Sequence, residues 1–434
     1  MHEISIISYI PLVLIFVLFF LRVPVGFSLI GSSMLYFIFM NNSMPVDLTL
    51  QNLVAGIQDF GLLAVPLFIM AGVIMNYSGI SSRLMSFADL LVGHMPGGLG
   101  QVNVLLSTLM GGISGSGNAD TAMQCKILVP EMTKRGYSAE TAAAITATSS
   151  IIPAIIPPGI VMLLYCMAAH VSIGKVFAAG YIPGILLCVA LMFTVSRVAK
   201  KNGLQPSRTQ RATAKEVFFG LGSAILALFM PFGLLLGLRM GMFTASEGGA
   251  MAVAYCAIVG GFVYKELKFK HLWPIVKETY FASSEIMFII IGAKMFGSYL
   301  SWEHIPDGLS DMILSMTDNK IVFLLLLNIF LLFIGMFMEV SPCMFIFVPL
   351  LIAPLQAMGV DLVHFGIIMT LNLMIGGITP PFGSMMFIAC SITKIPMEKF
   401  VKANIPFLAT VLIVLLLITY VEPLTMFLPN LLFK

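Results

Sequence analysis

Apolar positions run through this chain in long blocks, and polar positions punctuate the blocks rather than alternate with them. Apolar runs at 4–21, 24–40, 60–75, 176–195, 217–238, 250–264, 286–300, 321–338 and 404–421 are close to the length at which a helix crosses a hydrocarbon core. No stretch keeps the two-residue period of a barrel strand. The first run is not expected to be a signal peptide, because no Lys or Arg precedes it and no small-x-small site follows. The pattern predicts an all-α polytopic membrane protein.

A polar stretch at 197–215 divides the chain, and each half then follows one plan. Two spans (4–21 and 24–40; 217–238 and 244–264) precede an amphipathic stretch (42–58; 265–282). A third span follows (60–78; 284–300), then a long segment broken near its middle (97–133; 321–355). A second broken segment (138–170; 361–392) leads to a last span (176–196; 404–421). The punctuation repeats too. Val129-Pro130 answers Val348-Pro349 at an offset of 219. Gly136 answers Gly359, Pro157-Pro158 answers Pro380-Pro381, Phe177 answers Phe400, and Ile182-Pro183 answers Ile405-Pro406, all at 223. One four-residue gap reconciles the two offsets. Asp120 and Glu339 also differ by 219, which predicts equivalent places beside the two breaks.

The first break, Gly111 to Asn118, holds four Gly in eight residues, too many for a helix to continue cheaply. The apolar arms beside it look too short to cross, so a re-entrant hairpin is expected, with its counterpart tip at 338–342. The second broken segments contain Pro153, Pro157-Pro158-Gly159 and Gly376 to Gly383, and read as spanning helices unwound at the centre. A duplicated pair of Gly/Pro-broken segments marks the binding site of many secondary transporters.

Composition sharpens this picture only slightly: 59% of the 434 residues are apolar and 10% charged, against about 25% charged in soluble domains. The six Cys lie in apolar runs without a CxxC pair and read as small buried hydrophobes. Charge placement says more. Five crossings per half invert the second half. With 197–215 inside, 17 of the 23 Lys and Arg fall inside and Lys175, Arg239, Lys320 and Lys434 outside, as the positive-inside rule requires. Lys126 and Lys294 stay within membrane segments.

Unwound backbone in hydrocarbon needs partners. Free carbonyls suit a small cation, and half-helix N-termini suit an anion. Ser114, Ser116, Asn118, Ser341 and Thr379 are the substrate-binding candidates. Neutral, hard oxygens suit Na⁺, so one cation site is expected near Ser114, Asn118, Ser149, Ser150, Pro153 and Pro157. A second is expected near Ser341, Gly376, Gly377, Thr379 and Pro380. The plain alternative is that these Ser and Thr bond back to their own helices. Asp120 and Glu339 are expected to cap the hairpin helices or support the cations, unless one of them simply pairs with Lys126. Glu247 reads as the end of a helix capping box with Thr244 or Ser246. No HExxH, GxSxG or Walker A motif occurs, and the scattered His residues lack catalytic partners. This argues against a membrane acyl- or glycosyltransferase and against any enzyme.

The run Gly111-Gly-Ile-Ser-Gly-Ser-Gly-Asn-Ala-Asp-Thr121 resembles the large membrane subunit of TRAP (tripartite ATP-independent periplasmic) transporters. So do Ser138 to Ala142, Ile156 to Gly159, Phe243 to Ala250 and Gly376 to Gly383. Ser246-Glu-Gly-Gly departs from the family's usual Thr-Glu-Ala-Ala. The resemblance implies the fold of the ion-transporter superfamily, with two inverted repeats and an elevator-type transport domain. That domain would comprise 97–183 and 321–406. The scaffold parts would be 1–96, with arm 42–58, and 184–320, with linker 197–215 and arm 265–282; 407–434 closes the last helix. The resemblance also implies Na⁺-coupled uptake of an organic acid, of sialic acid or C4-dicarboxylate type, across a bacterial inner membrane. Its partners would be a small four-helix membrane subunit and a periplasmic binding protein, with no nucleic acid involved. The rival reading is a single-component Na⁺/carboxylate symporter of the same superfamily.

Overall fold

The computed structural model describes residues 9–21, 23–40, 51, 54, 58 and 60–433; the arm expected at 42–58 falls almost wholly outside them. Every regular element among the described residues is helical. The first half contains α1 (Ile10–Phe20) and α2 (Val25–Leu35), which continues as a π-helix to Met40. A 3₁₀ turn (Phe60–Leu63) leads into α3 (Ala64–Tyr77), and α4 (Ile80–Val92) follows at a 69° bend. The hairpin is α5 (Gly98–Ser114) and α6 (Gly117–Lys134). The broken helix is α7 (Ala139–Ser149), a single turn α8 (Ile152–Ile155) and α9 (Ile160–Ala169), bent by 45°; α10 (Ile173–Asn202) ends the half.

The second half repeats the order. It runs through α11 (Ala214–Arg239), α12 (Ala245–Ile258), α13 (Leu272–Trp302) and α14 (Ile305–Met316). The hairpin arms are α15 (Lys320–Phe337) and α16 (Val340–Ala357), and the broken helix is α17 (Leu362–Gly376) with α18 (Ser384–Thr393). Last come α19 (Met397–Tyr420) and a short α20 (Pro423–Leu432). Among the described residues, seven helices are long and apolar enough to cross a membrane, or up to nine if each bent pair is one span.

Helix ends locate the repeat better than side-chain identity does. Helices α5 and α15 end at 114 and 337; α6 and α16 run from 117 to 134 and from 340 to 357; α7 and α17 begin at 139 and 362. Each pair differs by 223. Both Pro-Pro bonds are cis, and Gly136 and Gly359 both close the hairpins at positive φ.

This corrects the sequence reading in four respects. First, the hairpins need no four-residue gap. Pro130 is the fourteenth residue of α6 and Pro349 the tenth of α16, so the Val-Pro match is slipped by one helical turn. Second, Asp120 and Glu339 are therefore not equivalent. Asp120 is the fourth residue of α6, whose counterpart is Cys343; Glu339 is the N-cap of α16, whose counterpart is Ser116. Third, the arms are 17 and 18 residues long and not too short to cross, because helix persists through Gly111 to Ser114 and only Gly115 and Ser116 interrupt it. At about 1.5 Å per residue such arms reach roughly 27 Å, so shortness is not what makes them hairpins. Fourth, 265–282 is not a separate arm helix, since from Leu272 onward it forms one rod with the third span. Helices α4 and α14 had no counterpart in the sequence reading.

Candidate substrate and ion site

Within each repeat a glycine contact holds the hairpin against the broken helix. A Cβ on Gly376 would lie 2.3 Å from the Gly335 carbonyl carbon, so α15 and α17 touch backbone to backbone. A Cβ on Gly111 would lie 2.6 Å from Ile156 Cβ, which seats the first hairpin on the first break. At the hairpin tip, the Gly115 carbonyl accepts from Ile160 N–H at the far side of that break, at 3.2 Å. In the second half, Met386 N–H donates to the Gly377 carbonyl at 3.1 Å. Unwound backbone is thus partly satisfied by the hairpin tip in the first half and across the break itself in the second, as buried peptide groups require.

The two hairpin tips and the two broken helices line one cavity of about 280 Å³. Ser116, Gly117 and Asn118 reach it from the first tip, and Glu339, Val340 and Ser341 from the second. Ile160, Gly377 and Ser384 come from the broken helices; Asn76 of α3 and Glu285 of α13 close the opposite wall. The first residues of α6, α9, α16 and α18 all line this one space. Four helix N-termini therefore direct the positive ends of their dipoles into it. Asn118 bridges the halves: its Nδ2 donates to Glu339 Oε1 at 3.3 Å, and its Oδ1 accepts from Ser384 Oγ at 3.0 Å.

Beneath the first tip is a buried polar cluster. Asp120, 1% exposed, accepts on Oδ2 from Ser107 Oγ at 2.9 Å and from Gln124 Nε2 at 2.7 Å. Ser149 Oγ lies 3.1 Å from Ser107 Oγ and donates to Asn103 Oδ1 at 2.8 Å. Ser150 stands beside Asp120, but its one proton goes to the Thr146 carbonyl at 2.8 Å. Asp120 Oδ1, Thr121 Oγ1 and Gln124 Oε1 remain buried without a hydrogen-bond partner. Uncompensated buried oxygens of this kind are costly, and a hard cation is the chemistry that answers them. The second half has a sparser analogue, where Asn372 donates to Asn328 Oδ1 at 2.6 Å and Asn372 Oδ1 lacks a partner.

The structure therefore brings Ser116, Asn118 and Ser341 to one cavity with Gly377, while Ser149, Ser150 and Asp120 form the cluster behind it. Pro153 and Pro157 lie in and after the turn α8. Thr379 does not line the cavity; its hydroxyl bonds back to the Ile375 carbonyl at 2.7 Å, the plain alternative. Gly376 is spent on the contact with Gly335, and Pro380 belongs to the cis pair. Ser114 ends α5, and its side chain is outside the described set. Lys126 does not pair with Asp120; it faces a different cavity with Glu266 and Glu278. Glu247 caps α12, with both halves of its capping box with Thr244 in place. His364 is buried rather than interfacial, bonded to Thr425 Oγ1 at 2.6 Å. Asn76, Glu285 and Ser384 were missed. Glu285 satisfied the rule that singled out Asp120, an ionisable group at membrane depth, but it lay at the boundary assigned between arm and span.

A model of the DctM component of tripartite ATP-independent periplasmic transporters matches residues 12–424. The chain belongs to this family. Within it, the chain is 37% identical to the sialic acid TRAP transporter large permease protein SiaM of Vibrio cholerae, covering 95% of this chain and 96% of SiaM. It is 32% identical to the C4-dicarboxylate TRAP transporter large permease protein DctM of Rhodobacter capsulatus, covering 94% and 96%. The crystal structure of the Alcanivorax borkumensis YdaH transporter shares its fold, with a TM-score of 0.63 over 95% of this chain and 98% of that one at 15% identity. The chain is thus a polytopic large permease subunit of a TRAP transporter, not an enzyme.

Proposed function

We propose that this DctM-family permease carries an organic acid inward with Na⁺ in a bacterial inner membrane. A small four-helix membrane subunit supports it, and a periplasmic binding protein delivers the substrate. The observation that carries this reading is the central cavity, where both hairpin tips, both breaks and four helix N-termini meet. Helix ends and hydroxyls can hold a carboxylate there although the described lining contains no Lys or Arg. The orphaned oxygens around Asp120, with the C-terminal end of α7 beside them, suit Na⁺. Two Na⁺ with one monoanion move a net positive charge, which gains about 2.3 kcal/mol per 100 mV. The hairpins and broken helices then move together against the α3 and α13 wall, in the manner of an elevator.

Sialic-acid-type substrates fit better than C4-dicarboxylates. Glu285 and Glu339 stand in the wall with Asn118, and carboxylates accept hydrogen bonds without donating any. A substrate with one carboxylate and several hydroxyls satisfies both the helix ends and these acceptors; a second carboxylate is repelled. The test is uptake into proteoliposomes holding this chain and its small subunit, with the binding protein outside. Uptake of N-acetylneuraminate is expected to vanish when all Na⁺ is replaced by K⁺. Uptake that persists in K⁺ refutes the coupling.

A further inference from the structure

The elements that line the central cavity line a separate one farther along their length. A second cavity, of about 220 Å³, lies along the same elements. Gly61 reaches it from the turn into α3, His170 from the end of α9, Lys294 from α13, and Phe345 and Pro349 from α16. The central cavity meets α9 at Ile160, α13 at 282–289 and α16 at 339–341. The second cavity is therefore displaced along each element.

Its chemistry is the reverse of the central one. Among described residues, the central cavity is lined by Glu285 and Glu339 and by no basic side chain; the second is lined by Lys294 and His170 and by no acidic one. Lys294 has no ion pair or hydrogen bond from its ammonium among the described residues. Lys294 is exposed, eight residues from the end of α13, where an ammonium is tolerated because the interface, water or an anion can reach it. The first turn of α10 borders the same space and adds its positive end. The cavity at the other end of α3 and α13 differs. There Lys126 faces Glu266 and Glu278, with Glu266 bonded to Arg83 at 2.7 Å and Glu278 accepting from Tyr77 at 2.5 Å, so the mouth is mixed in sign.

We propose that the Lys294–His170 cavity is a capture station for the substrate's carboxylate, on the outer side by the charge split, before the substrate moves to the helix ends of the central site. The mixed-sign mouth gives the anion no matching hold, so the arrangement favours capture at one end and release at the other. This rests on the reading of the protein as an organic-anion permease, and its test separates the two. A cysteine at Ala168, which lines the same cavity as Lys294, is introduced into the complex with the six native Cys replaced. Its reaction rates with anionic and cationic methanethiosulfonates are compared. The anionic-to-cationic ratio is expected to fall about tenfold in Lys294→Gln and to hold in Lys294→Arg, the scale of one charge acting at short range in partly screened surroundings. In the chain with its native cysteines, Lys294→Gln is expected to raise KM for N-acetylneuraminate uptake about tenfold while kcat stays within roughly twofold. An unchanged reagent ratio or an unchanged KM overturns the proposal. If the unsubstituted complex carries neither N-acetylneuraminate nor succinate, the substrate reading fails, and the reagent ratio still decides the station.

Discussion

Gly376→Ala puts a methyl group where two helices of the second repeat touch through their backbones. The new Cβ would stand 2.3 Å from the Gly335 carbonyl carbon, 2.6 Å from its Cα and 2.7 Å from its oxygen. No side chain can rotate away, because all three atoms belong to main chain. Ordinary contact begins at 3.4 Å, so α15 and α17 must part by about 1 Å. Overpacking of this kind costs about 1–3 kcal/mol. At about 2 °C per kcal/mol, the lower end for sizeable domains, the apparent Tm falls by about 2–6 °C. The strain lands on function as well. Gly335 stands three residues before the break at Met338, and Gly376 adjoins Gly377 in the cavity wall. The second tip and second break therefore shift apart, and uptake is expected to drop more steeply than the loss of stability alone accounts for. The assay pairs thermal unfolding in detergent with uptake in proteoliposomes. Gly222→Ala is the control, since nothing lies within 4 Å of its Cβ position. A Gly376→Ala protein with the stability and uptake of the control refutes the close helix contact.

Two further substitutions probe the polar interior. Asp120→Asn keeps the shape of a buried side chain but removes the charge beside the orphaned oxygens; the Na⁺ concentration for half-maximal uptake is expected to rise at least about tenfold, the scale of one short-range charge interaction in a partly polar site, and an unchanged Na⁺ curve removes Asp120 from cation binding. Asn404 accepts from Thr148 Oγ1 at 2.7 Å and donates to the Ile378 carbonyl at 3.3 Å, so Asn404→Leu strands two buried groups at about 1–3 kcal/mol each, and a thermal shift no larger than that of Thr148→Val contradicts the bridge.

Gly and Pro punctuation made most of the architecture legible, because those residues act on the backbone directly. The Pro-Pro pairs marked the unwound helices, and Gly136 and Gly359 marked where the hairpins end at positive φ. The glycine-rich run placed the first tip to within a few residues. The repeat register was misread where it rested on residue identity. Val-Pro occurs in both second arms, yet a proline inside a helix can sit one turn up or down and still face the same neighbour, so the pair at offset 219 was a chance alignment. Asp120 and Glu339 inherited that error. Their actual separation has a consequence that the symmetric reading hid. One carboxylate is buried below the first tip among hydroxyls and amides, and the other stands at the second tip in the cavity wall, bonded to Asn118 from the opposite half. The two repeats share a backbone plan but divide the chemistry, with the orphaned buried oxygens weighted to the first half and a carboxylate in the cavity wall supplied by the second. Side-chain position across halves is what sequence could not convey, because Asn118, Glu285, Glu339 and Ser384 are far apart in the chain and meet only when both breaks and both tips close on one space.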